Sequence, residues 1–86
     1  MYRVVVYPDA QEQIAALPDE ALAGYADALG AIELAPWNGP PHHKGNPNGA
    51  VRRWPFGPRA AGHVVYLILD DHDRREVHVL LVQYLD

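Results

Sequence analysis

The sequence predicts an α+β fold: an N-terminal strand, a two-helix hairpin, then a three-stranded antiparallel meander, together forming a four-stranded sheet with the helices on one face. Three observations carry this. Residues 50–86 hold three β-rich runs, AVRRWPFGP, GHVVYLILDD and REVHVLLVQYL, separated by short polar or Gly/Pro breaks. Between them and the N-terminus, apolar residues recur at helical spacing and are interrupted by Pro18. Tyr2-Arg3-Val4-Val5-Val6-Tyr7 opens the chain as a β-branched run. A single two-layer domain spanning residues 1–86 follows, since a chain of 86 residues builds one core.

The first strand is closed by Pro8, which cannot donate to a ladder. Asp9 with Glu12 suits a capping arrangement, and Ala10, Ile14 and Leu17 give a narrow apolar stripe on a short helix that Pro18 stops. Asp19 can cap a second helix, in which Leu22, Tyr25, Ala26, Leu29 and Ile32 recur at helical spacing until Pro36. Gly24 and Gly30 each weaken that helix by about 1 kcal/mol relative to alanine, so close packing against the first helix is expected of them. Residues 37–49 (WNGPPHHKGNPNG) carry three Gly, three Pro and three Asn and read as a long irregular loop.

Residues 62–70 and 76–85 are apolar at nearly every position, so they read as neighbouring central strands buried on both faces. Asp71-His72-Asp73-Arg74 between them has no Gly, which predicts a connection longer than two residues. Pro55 marks the preceding strand as an edge. Alternation places His63, Val65, Leu67 and Leu69 on one side of the third strand, with Val64, Tyr66 and Ile68 on the other. The fourth splits into Val77, Val79, Leu81 and Leu85 against His78, Leu80, Val82 and Tyr84. Two helices cover one side of this sheet. The other is then an apolar patch that lies under the long loop or meets a partner.

The absence of cysteine excludes a disulfide framework and a thiolate metal site, and points to a reducing, cytoplasmic setting. The run 2–7 is too short for a signal-peptide core or a membrane span, so no membrane association is expected. The net charge of −4 hides an asymmetry. From Met1 to His43 the only Lys or Arg is Arg3, against six carboxylates, whereas Lys44, Arg52, Arg53 and Arg59 follow with no acid among them. One edge therefore carries a positive field suited to a polyanion.

Arg52, Arg53, Arg59 and His63 form a basic and titratable cluster on an apolar scaffold, the natural seat of any chemistry. Arg52 and Arg53 are adjacent on a strand and point to opposite faces, so at most one of them lines a given cleft. Alternation puts Arg52 with Trp54 and Phe56, where stacking is its structural role. His42-His43 invites a metal, but neighbouring side chains diverge and no Cys joins them. No metal, no cofactor and no small-molecule ligand is expected. His78 reads as a strand residue packed at its ring edge, and His72 as a turn residue.

The order of elements, the Leu17-Pro18 junction, the Pro36 and Gly39 breaks, and above all RRWPFGP followed by GHVVYLILDD and VHVLLV resemble the RelE/ParE superfamily of bacterial type II toxins along the whole chain. The resemblance implies a toxin that binds RNA on the ribosome and cleaves messenger RNA as a metal-free endoribonuclease, inhibiting translation, with a cognate antitoxin as partner. Its alternative within the superfamily is a non-catalytic module on the same scaffold, either a gyrase-binding ParE-like toxin or a domain that has lost activity. Metal-free cleavage needs a base for the 2′-hydroxyl, cations for the phosphorane and an acid for the leaving 5′-oxygen. By resemblance, Arg52 and Arg53 match the basic position of the second strand and His63 matches the one that opens the third. The position after the fourth strand is basic or Tyr in RNA-cleaving relatives, and only Tyr84 matches it here. The catalytic candidates are thus His63, Arg59, Arg52 and Tyr84, and the RNA-binding candidates Lys44, Arg52, Arg53 and Arg59.

Overall fold

The computed structural model describes residues 1–46 and 48–85; Pro47 of the loop and Asp86 at the end of the last β-rich run lie outside the described residues. Its elements run β1 (Arg3–Val6), α1 (Pro8–Ala15), α2 (Asp19–Leu34), β2 (Val51–Phe56), β3 (Gly62–Asp70) and β4 (Arg75–Tyr84), with one-turn 3₁₀ segments at Pro36–Asn38 and Pro58–Ala60. The α+β architecture expected from the sequence is the one observed. The sheet order is β1-β4-β3-β2: β2, β3 and β4 form the antiparallel meander, and β1 returns to pair with β4 in parallel. β3 and β4 are the central pair, joined by four residues in which Asp71 Oδ1 accepts from the backbone N–H groups of Asp73 and Arg74.

Both helices lie on one face. The core there consists of Ala10 and Leu17 from the α1 side, Ala21, Tyr25, Ala28 and Ile32 from α2, and Phe56, Val64, Tyr66, Ile68, Val77, Val79 and Val82 from the sheet. Neither Asp9 nor Asp19 caps with its side chain; each lies inside the first turn, after Tyr7 and Pro18 as the N-terminal flanking residues. The buried stripe of α2 is Ala21, Tyr25, Ala28 and Ile32: Tyr25 and Ile32 face inward as their spacing implied, whereas Ala21 and Ala28 take the places expected of Leu22 and Leu29, and Leu22 and Ala26 are exposed. The small residues face inward because α2 sits low on the sheet: a Cβ on Gly24 would stand 2.9 Å from the backbone N of Gly57. Gly24 therefore serves a close approach to the β2–β3 connection, not to α1, and Gly30 has no neighbour that would meet a side chain.

The alternation of β3 holds, but that of β4 is interrupted. Opposite Val65 and Tyr66 the register skips Leu80, a β-bulge that swaps the two sides from there on. Val82 thus joins Val77 and Val79 in the core, and Leu81 passes to the opposite face, the reverse of simple alternation. The described residues of the long loop do not cover that opposite face. They fold to the helix side, where Tyr66 Oη donates to Pro36 O at 2.7 Å, and run along the outer edge of β2 through Arg53 N–H to Pro40 O and His42 N–H to Val51 O, both 3.0 Å. β2 is the last of the four strands as Pro55 implied, with its first half sheltered by this segment.

Candidate functional site

Register assigns every basic candidate to a face. Arg52 pairs with Tyr66 and so lies on the helix-covered face, while Arg53 pairs with Val65 and Pro55 with His63 on the uncovered one. Arg52 is 8% exposed, its Nε donates to Gly49 O at 2.9 Å, its Nη1 donates to Gly39 O at 3.1 Å, and its guanidinium lies 5.1 Å from the Trp37 ring. It holds the 37–49 loop against β2, and its stacking partner is Trp37 rather than Trp54 or Phe56. The structure does not bring Arg52 to His63.

Arg53 and His63 do come together. They occupy diagonal positions on the β2–β3 pair, roughly 7–8 Å apart at Cα by sheet geometry. His63 is half-buried, and burial first, then the charge of Arg53, lowers its pKa below the ordinary 6.5. Near neutral pH it is an unprotonated imidazole beside a fixed cation, which is the state a general base requires. Around them the uncovered face is apolar: Val5, Val51, Leu67, Leu69 and Leu81 are half-buried and Val65 is buried.

His63 also lines an open cleft of about 410 Å³ with Gln13, Ala61, Val82, Gln83, Tyr84 and Leu85. A neighbouring cleft of about 580 Å³ is lined by Arg59 with Pro18, Glu20, Pro58, Ala61, Tyr84 and Leu85. Tyr84 belongs to both; its ring stacks on Phe56 at 6.2 Å on the helix-covered face, opposite to His63 and Arg53, and meets His63 and Arg59 only at the rim of these clefts at the end of the sheet. Arg59 is exposed on a connection where Gly57, Arg59 and Ala60 all have positive φ, 79°, 56° and 54°. For Arg and Ala this left-handed backbone is unfavourable, and such strain concentrates at working sites. Gln13 closes the rim from below: its Oε1 accepts from the Val82 N–H at 2.6 Å, a group left without a strand partner because β1 ends at Val6. Lys44 is exposed on the loop.

The histidines outside the cluster divide. His42 and His43 are exposed, with rings edge to face at 4.9 Å, and His72 lies in the β3–β4 turn. His78 packs edge to face on Tyr7 as a strand residue does, yet it also hydrogen-bonds Tyr7 and Glu76 on the uncovered face. The Glu-Val-His spacing in β4 was the sequence signal for that last pair, since strand residues two apart share a face. Among the described residues no group of three or more His, Cys, Asp or Glu could hold a metal ion.

No family model and no curated protein matches the sequence. The backbone, however, superposes on a chain of the toxin–antitoxin complex RelBE2 from Mycobacterium tuberculosis with a TM-score of 0.72 over 98% of each chain, at 22% sequence identity. The chain has a RelE-like fold. The resemblance read from RRWPFGP and GHVVYLILDD is thus matched at the level of the fold. No helix among the described residues is long and apolar enough to cross a membrane.

Proposed function

We propose that this chain is the toxin of a type II toxin–antitoxin pair, which binds messenger RNA on the ribosome with its uncovered sheet face and cleaves it without metal. The observation that carries the reading is the diagonal pairing of Arg53 with a half-buried His63 whose pKa is depressed, on a sheet face that neither helix nor loop covers. His63 takes the 2′-hydroxyl proton, Arg53 and Arg59 hold the charge that develops on the phosphorane, and Tyr84 at the shared rim protonates the leaving oxygen. Lys44 contributes a phosphate contact from the loop. Arg52 leaves the list of RNA and catalytic residues, because its guanidinium is spent on Gly39, Gly49 and Trp37.

The partner is an antitoxin, supported by the RelBE2 complex in which the similar chain occurs. Its acidic segment lies across the apolar floor of Val51, Val65 and Leu67 and meets Arg53, excluding RNA by occupancy. One observation favours the non-cleaving alternative: with Arg52 buried, fewer cations face the reaction than the resemblance implies. Induced expression separates the readings. Rapid arrest of protein synthesis with transcripts cut inside coding regions supports the nuclease, DNA-damage signalling with synthesis intact supports gyrase binding, and unimpaired growth supports lost activity.

A further inference from the structure

On the same uncovered face, at the β1 side, stand three side chains that RNA cleavage does not use. Tyr7 Oη lies 2.8 Å from Nδ1 of His78, and Nε2 of His78 lies 2.9 Å from Oε1 of Glu76. Glu76 and His78 alternate on β4, and Tyr7 reaches them from the residue after β1, where its backbone N–H donates to Val79 O at 3.0 Å. The direction of the chain is fixed by its last member. The Glu76 carboxyl is held ionised below its ordinary value, first by the hydrogen bond from His78, and Arg3 adds to the effect. A carboxylate only accepts, so the imidazole proton sits on Nε2, and Nδ1 accepts from the Tyr7 hydroxyl. Phenol, imidazole and carboxylate therefore stand in the order of a hydroxyl nucleophile, its base and the group that orients the base. Tyr7 is also the most accessible tyrosine, 37% exposed, whereas Tyr2, Tyr25 and Tyr66 are buried and Tyr84 is half-buried.

We propose that Tyr7 is a base-assisted phenol that accepts an acyl group from an activated acyl donor. Tyr7 Oη attacks the acyl carbon and its proton passes to His78 Nδ1, giving an imidazolium held by Glu76. The bond from the acyl carbon to the leaving group then breaks with its electron pair on the leaving group, and the imidazolium returns the proton to it. The product is an aryl ester on Tyr7. An acyl rather than a phosphoryl donor fits because Val5 and Leu67, the residues beside His78 in the register, are apolar, and the nearby cations Arg3 and Arg74 act on the Glu76 carboxylate. The ester stands on the same sheet face as Arg53 and His63, and the site does not depend on the chain being a toxin.

The test is acetylation of the intact protein by N-acetylimidazole near neutral pH, followed by mass mapping of every tyrosine peptide. Tyr7 is expected to react first. In His78→Phe, which keeps a ring in place and removes Nδ1, its rate should fall at least about tenfold, the low end of what a positioned base supplies. Glu76→Gln, which keeps the hydrogen bond to His78 and removes the charge, should fall part of the way and serves if His78→Phe does not fold. A Tyr7 rate equal to the unmodified protein's in His78→Phe, or in Glu76→Gln, would show that exposure alone governs its reactivity and would overturn the proposal. Since no RNA or antitoxin enters the measurement, its failure leaves the toxin reading untouched.

Discussion

Partial burial and the neighbouring charge of Arg53 give His63 a lower proton affinity in the folded chain than in the unfolded one. The unfolded state, with an ordinary value of 6.5, then binds more protons than the folded state as pH falls below that value, so stability is full above it and declines below it. Asp70, Asp71 and Glu76 act with the same sign, but their windows open only below the ordinary carboxylate values of 3.8 and 4.5. His63→Gln is therefore expected to flatten the loss of stability that begins near 6.5 and to leave the carboxylate part unchanged, measured by urea midpoints across that range. Arg52 makes the contrasting case among the cations. Arg52→Ala removes two charge-assisted bonds to backbone carbonyls and the contact with Trp37, and should cost about 2–4 kcal/mol in chemical denaturation. Arg53→Ala, whose side chain is on the uncovered face, should cost less than about 1 kcal/mol.

Gly24 and Gly30 lie in one helix and obey opposite rules. Gly30→Ala should stabilise by about 1 kcal/mol, because nothing within 4 Å opposes the methyl and alanine is the better helix former. Gly24→Ala drives a Cβ into the Gly57 backbone and should destabilise by about 1–3 kcal/mol despite the same propensity gain, as thermal midpoints of the two variants will show. Most elements were legible in the sequence because their signals were redundant. Pro8, Pro18 and Pro36 punctuate the helices, and β3 is matched at both ends by Gly62 and Asp70. The bulge in β4 was not legible, since Leu80 and Leu81 are both apolar and a slip between them leaves an equally good pattern. Alternation separated Arg52 from Arg53, yet only the helices' choice of face decides which of them is buried. Tyr7 and His78 are 71 residues apart, and only the parallel return of β1 to β4 brings them together, a long-range pairing that no local spacing encodes.

At the scale of the whole molecule, the helices and the loop gather on one side of the sheet and leave the other with an apolar floor between two polar groups, Arg53 with His63 and Tyr7 with His78 and Glu76. Of the four cations between His43 and Gly62, Arg52 is buried, and the proposed phosphate contacts fall to Lys44, Arg53 and Arg59. The logarithm of affinity for single-stranded RNA should accordingly fall against the logarithm of salt with a slope near about −2, three contacts at roughly 0.7 each. Arg59→Glu combined with Arg53→Glu should reduce that slope to about −0.7 or less in magnitude, the share of Lys44, without unfolding the chain. The proposed cleavage of RNA by the uncovered face, with His63 as base, is read out by primer extension on a defined transcript in a reconstituted translation reaction. Discrete cuts within translated codons are expected, reduced about 10²–10⁴-fold in rate by His63→Ala and strongly by Arg53→Glu. Cuts of unchanged rate in both variants, or an intact transcript with the unmodified chain bound to the ribosome, would contradict it.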